Sequence, residues 1–193
     1  MILTDKIICN KGESPTAFVE KVKDISKRLG INPNWLMVVM YNESRLNAQA
    51  VNKQKGDNPD AYSRSVYRAT GLIQFMPKTA RSMGTNTQAL YAMTNLRQLD
   101  YVYQYFKGYA GRIKSYFDLY MITFFPVAVG KKDDFVIQSP DINASVIASQ
   151  NPSFDINKDG KITVGEAKKS MLKAIPQAFL DEVLTQAEKK SLS

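Results

Sequence analysis

Apolar residues recur at helical spacing through most of the first 130 positions. Phe18, Val22, Ile25 and Leu29 fall about a turn apart, between Ser14-Pro15 and Gly30. A capping serine with proline at the first helical position, and glycine as the stop, predict an amphipathic helix. Asn32-Pro33 opens a second helix by the same logic, in which Leu36, Val39, Met40 and Glu43 share one face. Glu43 therefore continues an apolar stripe.

From Asn47 to Thr70 the periodicity dissolves into polar residues with Gly56 and Pro59, and a long loop is expected there. Long loops inside compact domains are often functional. Short helices follow from Pro77 to Met83 and from Thr87 to Met93. A longer one then carries Leu96, Leu99, Val102 and Phe106, and another runs from Ser115 to Phe124, stopped by Pro126. After Gly130 the composition shifts to Lys131-Lys132-Asp133-Asp134, a short apolar patch and Pro140. Helices are expected from Asp141 to about Ser149, Thr163 to Lys173 and Pro176 to Lys189. The chain divides on this reading into residues 1–130 and a smaller helical part, 131–193, packed with the first as one domain. No internal repeat or low-complexity segment is present.

Composition narrows the chemistry. The 193 residues suit one globular domain, and their 44% apolar content supports a real core. There is no histidine, and Cys9 is the single cysteine. That excludes an internal disulfide, a histidine-based triad and a histidine-ligated zinc site. Carboxylates, tyrosines and lysines remain for acid/base work, which points toward reactions such as glycosidic cleavage. The net charge of +8 favours anionic surfaces or polymers. Because the basic residues are scattered and make no dense helical stripe, nucleic acid is not the expected partner. The N-terminus lacks the basic and apolar regions of a secretory signal, and no apolar run is long enough to span a membrane. A substrate outside the cytoplasm would need another route of delivery.

Glu43 is the residue singled out for chemistry. A carboxyl group on the buried face of a helix is pushed toward its protonated form, as a general acid for a glycosidic oxygen requires. A helix-end glutamate paired to Arg45 or to a backbone amide is the alternative. Context favours chemistry: Glu43-Ser44 is followed, after 27 positions, by Gly71-Leu72-Ile73-Gln74-Phe75-Met76-Pro77, and Trp35-Leu36 precedes it. Here the sequence resembles the soluble-type lytic transglycosylases and the related goose-type lysozymes, in which a helix ending in Glu-Ser faces a Gly-Leu-Met-Gln-x-x-Pro-like segment.

The resemblance covers roughly Phe18 to Gly130 and implies roles. Glu43 would be the catalytic acid and then base, Ser44 a hydrogen-bond partner near the scissile sugar, and Gln74 a substrate-binding amide. Gly71 would let the backbone approach the sugar chain. The family's Ala-Tyr-Asn-Ala-Gly-like segment is replaced here by Tyr120 to Gly130, a departure closer to phage-encoded members. Of Tyr101, Tyr105, Tyr116 and Tyr120, the nominees for lining the cleft are Tyr101 and Tyr120. The implied reaction cleaves the bond between N-acetylmuramic acid and N-acetylglucosamine in peptidoglycan and closes a 1,6-anhydro ring. Hydrolysis of that bond, the muramidase alternative, would need a second carboxylate about 5–9.5 Å away. Asp57, Asp60 and Asp118 are the candidates for it.

A second constellation stands apart from the first. Residues 155–166 match the twelve-position calcium loop of an EF-hand. Asp155, Asn157 and Asp159 take positions 1, 3 and 5, Gly160 the sharp turn, Lys161 the backbone carbonyl and Glu166 the final bidentate carboxylate. Thr163 holds the position that often binds through water, and Ile162 is the apolar residue at position 8. Oxygen donors in this number suit calcium rather than zinc. Asn151-Pro152 interrupts any entering helix, and no second loop exists to pair with it. A structural calcium site is expected, as in those lytic transglycosylases that carry an EF-hand-like loop, bracing the C-terminal helices against the catalytic region.

The expected fold is mainly α and lysozyme-like, with a small helical C-terminal subdomain containing the calcium loop. The expected substrate is the peptidoglycan of the cell wall, reached outside the cytoplasm or from a virion. Rival readings are a non-catalytic calcium-dependent wall-binding or virion structural module, and a chitinase-like hydrolase.

Overall fold

A computed structural model describes residues 1–186, 188 and 189. They form ten α-helices and, among the described residues, no strand beyond isolated bridges. The helices are α1 (Pro15–Leu29), α2 (Pro33–Ser44), α3 (Ala61–Arg64), α4 (Pro77–Ser82), α5 (Thr87–Ala92), α6 (Asn95–Lys107), α7 (Tyr116–Phe124), α8 (Ala144–Gln150), α9 (Val164–Lys173) and α10 (Leu180–Val183). Two compact units result, Met1–Gly111 with α1 to α6 and Arg112–Ser193 with α7 to α10.

In the first unit α1 packs on α2 and α6. Ser14 caps α1 by accepting from the Ala17 amide, and Gly30 closes it in the left-handed region. Phe18, Val22, Ile25 and Leu29 are buried, as the periodicity requires. Asn32 caps α2 by accepting from the Asn34 amide. The single apolar face expected for α2 is corrected: Leu36, Met37, Val38, Val39 and Met40 are all fully buried, so α2 is enclosed around its middle. On α6 the buried stripe includes the polar Asn95 and Gln98 along with Leu99, Val102 and Phe106.

The segment read as a loop from Asn47 to Thr70 is organised. Asp60 caps α3 by accepting from the Ser63 amide at 2.7 Å. The Arg64 guanidinium turns inward and donates to the carbonyls of Asn58 and Pro59 at 2.8 and 2.7 Å. Arg68 makes a two-point ion pair with Asp57, at 2.9 and 2.7 Å.

In the second unit α7 packs on α9, and the Tyr116 hydroxyl donates to the Met171 carbonyl at 3.2 Å. Phe124, at the end of α7, stacks on Phe154, just ahead of Asp155, with ring centroids 4.5 Å apart. Two expected helices differ. Helix α8 starts three residues after Asp141, because Ser139 and Ile142 pair through both amides and hold Pro140 and Asp141 in the turn. The helix expected from Pro176 to Lys189 breaks into a 3₁₀ turn (Gln177–Phe179), α10 and an extended Leu184. Thr185 and Glu188 exchange side-chain and backbone hydrogen bonds as a capping box, which starts a new turn and ends the old one. Ala187 of that expected helix and Lys190 of the basic C-terminal run lie outside the described residues.

Candidate active site and candidate calcium loop

Glu43 occupies the last turn of α2 and is half-buried. The backbone just beyond it is unusual. Arg45 and Leu46 both take left-handed conformations, at φ 57° and 58°. Their amides turn back to Tyr41 and Met40, closing the helix. Such conformations are costly for non-glycine residues, and strain of this kind gathers at functional sites.

Ser44 is buried, and its hydroxyl lies 2.9 Å from the Met40 carbonyl and 3.0 Å from the Leu72 carbonyl. One hydroxyl proton serves both oxygens. This contact ties the end of α2 to the segment Gly71 to Pro77. That segment is a tight turn: Thr70 and Phe75 exchange both backbone hydrogen bonds, and the Gln74 amide donates to the Gly71 carbonyl at 3.0 Å. Gln74 is the third left-handed non-glycine residue here, at φ 50°. Its side-chain amide donates to the carbonyls of Gly71 and Ala50, at 3.1 and 3.3 Å.

Gln98 is the residue that sequence reasoning missed. Its side chain is fully buried and fully used. Oε1 accepts from the Leu72 amide at 2.6 Å, and Nε2 donates to the carbonyls of Ala48 and Leu90, each at 2.9 Å. The Leu72 residue is thus held from both ends, by Gln98 at its N–H and Ser44 at its carbonyl. A Cβ on Gly71, which sits at φ 88°, would stand 2.3 Å from Gln98 Oε1. The close approach at Gly71 is therefore made by this glutamine. The available signal was a polar residue lying on the apolar stripe of α6.

Aromatic rings gather beside this turn. The Phe75 and Tyr105 rings meet edge-on at 6.3 Å, and Tyr105 also contacts Phe106 and Tyr109. Burial, then Tyr109, then the charge of Glu43 push the Tyr105 phenol well above its ordinary pKa. Tyr105 is thus a tyrosine of α6 within electrostatic reach of Glu43. Tyr101 lies half-buried one turn earlier on α6. Tyr120 is buried in the second unit, its ring against Tyr116 at 5.9 Å.

The three candidate second carboxylates all hold backbone. Asp57 is bound by Arg68 and by the Gln54 amide, which keep its carboxyl below the usual range. Asp60 caps α3, and Asp118 of the second unit accepts from the Lys114 amide at 2.9 Å.

At residues 155–166 the side chains fold the loop on itself. Asp155 accepts from the amides of Asp159 and Gly160, at 3.2 and 3.0 Å. Asn157 accepts from Asp159, and Asp159 from the Lys161 amide at 2.9 Å. Glu166 accepts from the Asn157 amide with one oxygen and from the Thr163 amide and hydroxyl with the other. Gly160 supplies a left-handed turn at φ 80°, and Ile162 is buried. Among the described residues no three His, Cys, Asp or Glu side chains form a cluster able to hold a metal by themselves. The donors available here are two aspartates, a glutamate, an asparagine and the Lys161 carbonyl, an all-oxygen set that fits a hard cation by its chemistry.

Residues 20–104 match the family model described as the transglycosylase SLT domain. The match takes in Glu43, Ser44, Gly71, Gln74, Gln98 and Tyr101, and ends before Tyr120 and the loop at 155–166. No curated protein and no solved structure matches the chain. With the helical architecture, the match bears out a mainly α, lysozyme-like fold and an enzyme; members of the matched family are peptidoglycan lytic transglycosylases. No helix among the described residues is long and apolar enough to cross a membrane.

Proposed function

We propose that the chain cleaves peptidoglycan as the matched SLT domain family does, with Glu43 performing both proton transfers of a non-hydrolytic cleavage. The Glu43 carboxyl gives its proton to the glycosidic oxygen as the bond from C1 of N-acetylmuramic acid to that oxygen breaks. The C6 hydroxyl oxygen of the same sugar then bonds to C1, and its proton returns to Glu43, closing a 1,6-anhydro ring. No water enters, and the carboxyl ends protonated as it began.

The observation that carries this reading is the docking of Glu43-Ser44 onto the turn at Gly71 to Phe75 through the Ser44–Leu72 contact. It brings the two matched motifs together, the second of them carrying Phe75, whose ring meets Tyr105. The engagement of Asp57, Asp60 and Asp118 with backbone favours a mechanism with one carboxylate. Gln74 and Tyr101 are assigned to glycan binding.

Mass spectrometry of muropeptides released from purified peptidoglycan tests the mechanism. Wild type should yield 1,6-anhydro ends, and Glu43→Gln should lower the rate by about 10²–10⁴-fold or more with its melting temperature preserved. Reducing ends would mean hydrolysis and overturn the ring-closing step.

We propose in addition that Asp155, Asn157, Asp159, the Lys161 carbonyl and Glu166 hold calcium. The ion would supply a cross-link between the loop and the first turn of α9. At a hundredfold excess over its dissociation constant, calcium should raise the melting temperature by about 5–10 °C. Asp155→Ala should abolish the rise, and equal melting in calcium and in chelator would refute the site.

A further inference from the structure

The backbone from Lys161 to Thr163, just before α9, alternates as a strand does. Lys161 and Thr163 send their amides inward, to the carboxylates of Asp159 and Glu166, at 2.9 Å each. Ile162 and Val164 face the other way. The Ile162 carbonyl accepts from the Ile137 amide at 2.8 Å, and the Val164 amide donates to the Phe135 carbonyl at 3.0 Å. Val136 and Thr163 sit opposite each other as an antiparallel pair. The contact continues past the strand: the Gly165 amide donates to the Asp133 carbonyl at 2.9 Å, and Lys168 pairs with the Asp133 carboxylate at 2.7 Å. Ile137 and Ile162 are both fully buried.

Within an extended strand a residue's N–H and carbonyl point to the same side, and the next residue's to the other. Pairing Ile162 and Val164 outward therefore commits the Lys161 carbonyl inward, toward Asp155 and Asp159. Lys161 is the one position of the loop that donates through its backbone, so its aim depends on what the neighbouring residues pair with. A lone loop has no second loop to provide that pairing. Here residues 133–137 provide it.

We propose that residues 133–137 belong to the cation site as its pairing strand, with Ile137 and Phe135 positioning the Lys161 carbonyl. The site is then a property of residues 133–166, and the acidic and apolar run after Lys132 has a function. This inference rests on the calcium reading above and adds to it a part of the chain that the loop pattern does not contain.

Calcium chloride titrated calorimetrically into the full chain, as wild type, Ile137→Val and Ile137→Pro, tests it. Proline removes the Ile137 N–H and leaves every loop donor in place, whereas valine keeps the N–H. Wild type and Ile137→Val should bind alike, and Ile137→Pro roughly fivefold or more weakly, the scale of one lost hydrogen bond. Amide exchange followed by NMR on wild type provides the second measurement, independent of whether the proline variant folds. Calcium should slow exchange at Ile137 and Val164 as well as within 155–166. Equal affinity of Ile137→Pro, or slowing confined to 155–166, would overturn the pairing role and leave the calcium site standing. A wild type that binds no calcium would overturn both.

Discussion

Gly71 and Gln98 show how much a single pair of residues decides. The amide of Gln98 fills the space a Cβ would take on Gly71 and satisfies three backbone groups at once. Gly71→Ala must push that amide away and strain a backbone at φ 88°. Burial of the unpaired Leu72 amide then adds to the cost, and a loss of about 2–4 kcal/mol is expected in urea unfolding. Asp57 offers a test of charge. Its pKa is depressed in the folded state by Arg68 first and the Gln54 amide second. A depressed carboxyl contributes stability that is present above its unfolded pKa, about 4, and lost as pH falls through the folded value. Asp57→Asn should therefore be less stable than wild type at pH 7, with the gap narrowing as the pH falls below about 4 in denaturant titrations.

At the scale of elements, caps and apolar spacing account for the helices that came out as expected. Ser14-Pro15, Asn32-Pro33 and Ser115 mark starts that need only local chemistry. The failures have local causes too, but ones in competition. Thr185 with Glu188 is a capping box inside a stretch that otherwise reads as helix, and the cap won. On α9 the capping box of Thr163 and Glu166 shares its residues with the candidate calcium loop. Thr163→Ala should cost about 1 kcal/mol without calcium, measured by thermal melting in chelator. The stretch from Asn47 to Thr70 was legible as irregular, whereas the inward turn of Arg64 was not, since nothing local distinguishes a buried arginine from an exposed one.

For the whole molecule, the charge of +8 favours attraction to anionic polymers. If that attraction carries the encounter, adsorption to purified sacculi should weaken severalfold between about 0.05 M and 0.5 M salt as screening shortens. A pelleting assay with Glu43→Gln would read adsorption without cleavage, and salt-independent adsorption would show that contacts other than charge dominate.

Spacing alone told that the chain is helical, that Glu43 lies in the last turn of the second helix, and that residues 155–166 carry oxygen donors in the order of a calcium loop. Such features are written in neighbours a few positions apart, where periodicity and capping act. Only the tertiary structure decided that Gln98 holds the Leu72 amide, that Tyr105 of α6 packs on Phe75 within reach of the Glu43 charge, and that residues 133–137 pair with Lys161 to Val164. These join positions distant along the chain, and a polar side chain becomes a core residue only when the backbone groups it satisfies have been brought to it.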